Sequence, residues 1–394
     1  MNAASAQRAI TLLTLATFAS AASIRVCDPL LPELARFFSI TAGKAAQVIS
    51  AFAIAYGLLQ LLYGPLGDRY GKFRVIAWAT LGGSAGCLGA TLASDFTWLV
   101  IFRVLTGATA AAIMPLSMAW IGDNVAYEQR QTVLARYLTG QILGMVGGQL
   151  IAGIFADTLG WRWAFGSLLC LYLTVAALLF AELRRNPSID GHAGSATGKH
   201  FVRQTLDLLK IRSAQVVLAA VFLEGMAVYG ATAFIPYYLH TEFALPLSAT
   251  GAILAVYGMG GFLYAILAKR LVAGFGERGL SSGGGLLLGL AFMLLVVVPS
   301  WPWVVPTILM AGLGFYMLHN TLQTNATQMA PTFRGTAMST FAASLFLGQS
   351  VGVALSAVVV DSASPRWLFV AAAVALPLIG LGLSQALRVR QKNP

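Results

Sequence analysis

Charge is what this chain has least of. Only 10% of its 394 residues are Asp, Glu, Lys or Arg, where a soluble domain carries roughly a quarter. Mean hydropathy is +0.77 and 58% of residues are hydrophobic. Too little polar surface remains to clothe a large soluble globule. Cysteine is nearly as scarce. Cys27, Cys87 and Cys170 each sit inside an apolar run, and an odd count with no metal-type spacing excludes a disulfide framework and a cysteine-ligated metal. The four histidines are scattered, so no Ser/His/Asp arrangement and no metal-ligand cluster can be drawn, which argues against an enzyme. The G-x-x-x-x-G-K-[ST] loop is missing too, which excludes a Walker-type nucleotide site.

What the chain does have is length in apolar runs. Windows of membrane-spanning length fall near 9–30, 45–63, 74–94, 97–120, 133–156, 162–182, 215–239, 250–268, 280–299, 303–323, 336–359 and 367–386. The first, opening "AITLLTLATFASAAS", runs on into further spans with no clear cleavage site, so it reads as a span and not as a removed signal. The expected fold class is an all-α membrane protein with twelve transmembrane helices.

The net charge of +11 becomes informative once placed on this topology. With the N-terminus in the cytoplasm, the inner segments hold the clusters Arg69/Lys72/Arg74, Arg184/Arg185, Lys269/Arg270 and Arg388/Arg390/Lys392, while Glu33, Asp95, Asp157, Glu242 and Asp361 fall at outer ends. This asymmetry is the positive-inside pattern. The basic balance therefore reports orientation, with both termini cytoplasmic, and needs no nucleic-acid partner. The partners it implies are a lipid bilayer and whatever passes through it.

One polar stretch, Leu183 to Arg212, divides the spans six and six. The expected domains are 1–182, a cytoplasmic linker 183–213, and 214–394. Within the linker, "FVRQTLDLLK" has the pattern of a short amphipathic helix lying on the inner membrane surface.

Shifted by 204 residues, the chain matches itself. Arg130 falls on Arg334, Thr132 on Thr336, Gly144 on Gly348, Gly148 on Gly352, Asp157 on Asp361, Arg162 on Arg366, Trp163 on Trp367 and Pro32 on Pro236. A constant shift over most of each half signals duplication, and parallel six-helix repeats are one of the two repeat types of secondary transporters.

"GPLGDRYGKFRV" (Gly64 to Val75), "FRVLTGATAAAIMP" (Phe102 to Pro115) and "GWRWAF" (Gly160 to Phe165) together resemble signatures of the major facilitator superfamily. The resemblance runs over nearly the full length, and within the superfamily it is nearest to bacterial twelve-span drug:proton antiporters and sugar-efflux permeases. It implies two pseudo-symmetric six-helix bundles, a bacterial inner-membrane location, a monomer, and a proton gradient in place of any bound cofactor. The fifth-span antiporter signature of that group carries a Gly-Pro pair before Gly-Gly. Here Gly144 stands where the proline would be.

Candidate site residues follow from chemistry that is costly in a membrane. In Gly64–Val75, the glycines Gly64, Gly67 and Gly71 allow a tight turn and close approach, and Asp68 is a lone carboxylate among Arg69, Lys72 and Arg74. The resemblance implies a conformational latch in which Asp68 meets the start of span eleven, here Gly335–Ala337; the alternative is a solvated positive-inside turn. The matched stretch "AKRLVAGFGERG" has no aspartate at that place. Arg103, seven residues into span four with Gly107 and Ala111 on one face beside it, is expected to face the bundle interior. The resemblance implies a part in proton or substrate coupling; a structural pair with an outer-end acid is the other reading.

Asp28 ends span one with Arg25 three residues before it, and Glu224 lies about ten residues into span seven. Burial disfavours a carboxylate's charged form, which suits both acids to carry protons. Their other readings are a local Arg25–Asp28 pair at the outer rim and an ordinary interhelical bond for Glu224. His319, Asn320 and Gln323 in span ten, with Gln141, Tyr56, Tyr229 and Tyr257, are candidates either to line a cavity or to join helices. Tyr56, Phe234, Tyr257 and Phe315 would form apolar and aromatic cavity walls. Gly140, Gly144 and Gly148, echoed by Ser344, Gly348 and Gly352, read as close-packing stripes.

The functional expectation is proton-coupled export of a small lipophilic or amphiphilic compound. A sugar or metabolite uniporter or symporter is the alternative. A membrane-embedded enzyme would need clustered catalytic groups, and a channel would not need duplicated halves.

Overall fold

The computed structural model describes residues 3–190, 198–330 and 334–392; the Gly/Ser-bearing linker stretch 191–197 lies outside them. Among the described residues the chain is helical, with no strand. In lipid every backbone N–H and C=O must find an internal partner, so long apolar runs become helices.

Among the described residues, ten helical segments are long and apolar enough to cross a membrane. One of them, Leu247–Val297, has 51 residues and bends at Gly276 (φ 61°), so it makes two crossings, 247–275 and 277–297. The helix Ala3–Arg25 completes twelve. In chain order the others are Ala42–Tyr70, Lys72–Leu92, Phe96–Asn124, the fifth crossing helix Tyr127–Thr158, Trp161–Arg185, Arg212–Phe243, Trp301–Gln328, Arg334–Ser362 and the twelfth, Arg366–Lys392. The end that carries Gly64–Val75 and the linker is called the basic end below, and the opposite one the far end.

Helix pairing repeats between the halves. The first crossing packs on the fifth and the seventh on the eleventh. The reason is visible in the glycine stripes. A Cβ on Gly144 would strike the Phe18 carbonyl and one on Gly148 the Ala22 carbonyl; Gly348 and Gly352 stand in the same relation to Phe222 and Met226. Those partners are again 204 residues apart. Small residues thus bring backbones into contact, as their spacing predicts. The halves meet along two seams, second crossing on eleventh and fifth on eighth.

The first and seventh crossings are both broken, at equivalent places. The first stops at Arg25 and resumes as Leu31–Phe37; the seventh stops at Thr232 and resumes at Ile235. Pro32 and Pro236 each occupy the opening turn of the resumed helix, where a missing N–H costs nothing. Interrupted helices at a repeat interface are where transporters place binding groups.

The linker forms a short 3₁₀ turn, Pro187–Asp190, and the helix Gly198–Leu208. The amphipathic segment is therefore helical, as its pattern predicts. The hydroxyl of Thr336, at the start of the eleventh crossing, donates to Gln204 Oε1 over 2.7 Å.

Candidate functional site

The break in the first crossing holds Arg25 and Asp28 together. Arg25 Nη1 donates to Asp28 Oδ2 over 3.4 Å, and both side chains are buried. Arg25 and Asp28 do pair, but in the interior and not at the outer rim that the alternative reading placed them on. The Arg25 guanidinium also sits over the Tyr229 ring, 4.3 Å from its centroid. A pocket between the halves is lined by Arg25, Asp28, Gln149, Thr232, Tyr257 and Gly258, with about 10 Å³ of free space, enough for one water. Among the described residues, four buried polar atoms of its wall have no hydrogen-bond partner: Arg25 Nε, Asp28 Oδ1, Thr232 Oγ1 and Tyr257 OH. Unpaired buried polar atoms are costly, and a ligand or water that meets them recovers that cost.

Glu224 lies fully buried in the seventh crossing, and its Oε2 is 2.8 Å from His319 Nδ1 of the tenth. Its other oxygen, Oε1, has no partner. The His319 ring stacks on Phe315 at 4.9 Å, and Phe315 in turn contacts the rings of Tyr229 (5.8 Å) and Tyr257 (5.7 Å). An aromatic bridge thus connects the Glu224–His319 pair with the Arg25–Asp28 pocket.

Other candidates are placed differently. Arg103 is buried as expected, but it meets main chain and no acid: its Nη2 donates to the Ser23 carbonyl (3.0 Å) and its Nε to the Val48 carbonyl (3.2 Å), with Phe52 against its guanidinium at 4.2 Å. Gly107 beside it lets the Phe52 carbonyl approach. Tyr56 packs on Phe52 and Phe346. Phe234 is wholly inside the core. Asn320 donates to the Tyr316 carbonyl of its own helix, a local bond that neither joins helices nor lines the pocket. Gln141 and Gln323 are half-buried and outside that wall. Sequence reasoning missed Gln149 and Thr232. Both were findable: Thr232 is the repeat equivalent of Asp28, and Gln149 stands two turns beyond Gln141.

At the basic end, the stretch read as one short turn is mostly helix. The second crossing continues through Pro65 to Tyr70, and only Gly71 (φ 95°) turns the chain. Close approach occurs at Gly67, against Leu116, and at Gly71, against the Asp190 carboxylate; Gly64 has nothing near it. Asp68 pairs with Lys72 at 3.1 Å, and Lys72 with Asp123 at 2.6 Å. Arg69 lies over Tyr70. The N-terminus of the third crossing is capped from the linker: Asp190 Oδ1 accepts from Phe73 N–H (2.6 Å) and Oδ2 from Arg74 N–H (3.2 Å). Burial pushes the Asp190 carboxyl above the usual carboxylate range, against the pull of those two N–H groups. At the far end, Glu33 behaves alike: burial raises it and the Trp161 N–H, which donates to its Oε1 over 3.1 Å, draws it back.

Also at the far end, Asp157 and Asp361 cross the two seams. Asp157 Oδ1 accepts from Leu247 N–H (3.0 Å) and its Oδ2 from Ser248 N–H (2.7 Å). Asp361 Oδ1 accepts from Gly43 N–H (2.8 Å) and its Oδ2 from the Thr41 hydroxyl (2.6 Å).

The model of the Major Facilitator Superfamily matches residues 13–339. The chain belongs to the major facilitator superfamily. It is a multi-pass membrane transporter of that superfamily, and not an enzyme. Among superfamily relatives, the MFS-type transporter YwfA of Bacillus subtilis is 26% identical over 352 residues, covering 87% of this chain and 83% of YwfA. The multidrug export protein EmrB of Escherichia coli is 26% identical over 153 residues, 39% of this chain and 30% of EmrB. The nucleoside transporter NupG superposes with a TM-score of 0.81 at 13% identity, covering 96% of this chain and 99% of NupG. A peptide transporter of the POT type superposes at 0.76 with 15% identity, covering 97% and 94%. The last two establish the superfamily fold alone.

Proposed function

We propose that this protein is a proton-coupled antiporter that exports a small amphiphilic organic compound from a bacterial cytoplasm. Residues 1–182 and 214–394 rock about the shared pocket, both termini are cytoplasmic, and the working unit is a monomer in the inner membrane. The observation that carries the reading is a pair of fully buried carboxylates, Asp28 and Glu224, one in each half and each with one oxygen unpartnered among the described residues. Such acids gain or lose protons as the cleft faces one side or the other. Arg25 competes with the proton for Asp28, and His319 does so for Glu224. Arg103 fixes the surroundings of Asp28 by joining the first, second and fourth crossings through main-chain carbonyls. The proton gradient is the energy source, with no bound cofactor. Tyr257 on the pocket wall, backed by Phe315 and through it by Tyr229, suits an apolar body, and similarity to a protein named as a multidrug exporter agrees with outward transport.

A second reading is favoured by the unpartnered Thr232 and Tyr257 hydroxyls and Arg25 Nε. A hydroxyl-rich metabolite meets those atoms better than a lipophilic one does, and the protein is then a uniporter or symporter.

Inside-out vesicles supplied with ethidium and with labelled lactose separate the two. Acidifying the lumen should drive ethidium inward, collapse of the gradient should stop it, and Asp28→Asn and Glu224→Gln should each uncouple it. Lactose leaving the lumen with protons supports the second reading. Unchanged proton-coupled movement in both variants contradicts the site assignment.

A further inference from the structure

We infer that Asp157 and Asp361 are a matched pair of positioning residues that hold the far end of the transporter shut, one on each seam between the halves. Each carboxylate ends one helix and caps the start of a helix from the other half. Asp157, near the end of the fifth crossing, takes the Leu247 and Ser248 N–H groups at the start of the eighth. Asp361, near the end of the eleventh, takes the Gly43 N–H and the Thr41 hydroxyl at the start of the second. The two aspartates are 204 residues apart, and so are Gly43 and Leu247. The Leu247 and Gly43 contacts are therefore the same contact made twice, related by the repeat, while the second donor differs: the Ser248 N–H on one seam and the Thr41 hydroxyl on the other.

The backbone around each cap is shaped for it. A Cβ on Gly153 would strike the Leu247 carbonyl, and one on Gly43 would strike the Ala357 carbonyl and the Asp361 carboxylate itself. Residues 153 and 357 are again repeat equivalents. The close approach that lets the caps form is thus built into both seams, with the glycine on opposite partners.

An anion at a helix N-terminus is stabilised by the exposed N–H groups and the helix dipole. Both oxygens of each aspartate are engaged, so an asparagine leaves an NH₂ group facing a donor. At the basic end no such bridge is made among the described residues: Asp68, expected to meet the start of the eleventh crossing, pairs with Lys72 of its own half. The structure is accordingly closed at the far end, and the two caps, with the Ser350 hydroxyl that donates to the Ser50 carbonyl over 2.9 Å on one of the seams, are polar contacts that must release before that end opens. The inference needs only alternating access and is independent of transport direction and of proton coupling.

The test is a distance measurement on the full-length transporter in lipid nanodiscs. Spin labels replace Trp98 and Trp303, which are exposed at the far end, one per half and away from both caps; Cys170, the exposed cysteine, is changed to serine. Asp157→Asn and Asp361→Asn should each raise the population of far-end-open protein about 2- to 5-fold, and both together about 4- to 25-fold. Glu242→Gln serves as control, because Glu242 pairs with Arg366 at the same end but within one half. An unchanged distance distribution in the double variant overturns the inference, and so does an equal shift in the Glu242 control. Should an Asn variant fail to assemble, Thr41→Val carries the test alone. It removes one donor to Asp361, and a smaller shift in the same direction supports the pair while no shift contradicts it.

Discussion

The guanidinium of Arg25 rests on the ring of Tyr229, 4.3 Å from its centroid, and these two residues are repeat equivalents of one another. The same holds for Asp28 and Thr232 on the pocket wall. Two broken helices descended from one ancestral segment thus face each other, and the halves have supplied different chemistry: a cation and an acid from one, two hydroxyl-bearing side chains from the other.

A cation over an aromatic face contributes about 0.5–2 kcal/mol. Tyr229→Phe keeps the face and should leave the transport rate within about twofold of wild type. Tyr229→Leu removes it and should slow transport about 2- to 30-fold, measured as initial rates in vesicles.

Glu224 and His319 form a buried polar pair. Removing the imidazole with His319→Ala strands the carboxyl, which should cost about 1–3 kcal/mol in detergent-solubilised protein. Glu224→Gln with His319→Ala should cost less than the two single changes added together, and the double-mutant cycle should give a coupling of about 0.5–3 kcal/mol.

Arg103 joins three helices through main-chain carbonyls. Arg103→Met leaves the Ser23 and Val48 carbonyls without that donor, at about 1–3 kcal/mol each. Thermal denaturation should show the loss. The pH profile of whatever transport survives should match wild type, because Arg103 holds helices and makes no ion pair with either acid.

The glycines divide into those that touch a neighbouring backbone and those that do not. Gly348→Ala puts a methyl group into the Phe222 carbonyl and should destabilise by about 1–3 kcal/mol. Gly64→Ala meets nothing and lies inside a helix, so it should stabilise by up to about 1 kcal/mol. Paired melting curves check both.

The fold was legible because lipid leaves the chain few choices. Apolar length marks each crossing, and the 204-residue shift signals the duplication that the helix pairing repeats. The buried Arg25–Asp28 and Glu224–His319 pairs were half legible. Their cost in a membrane singles out the acids, but which cation or imidazole meets Glu224 depends on how the tenth crossing is rotated, and periodicity cannot give that. Asp157 and Asp361 stood out as a repeated pair, yet they read only as outer-end acids, since a cap across a seam requires knowing which helix starts lie opposite. The turn at Gly64–Val75 was misjudged for a local reason: Gly64, Gly67 and Gly71 each permit a turn, but only Gly71 takes one, because the second crossing stays helical through Tyr70.

The central claim is that protons landing on Asp28 and Glu224 bias the exchange between the two open ends. It can be tested with no knowledge of the cargo. Spin labels at positions 98 and 303, in nanodiscs, report the far-end distance as the buffer is moved from mildly alkaline to mildly acidic. The account predicts a distance distribution that shifts with pH in the wild-type background and stays fixed when Asp28→Asn and Glu224→Gln are combined. A pH-dependent shift that persists in the combined variant, or none in wild type, contradicts it.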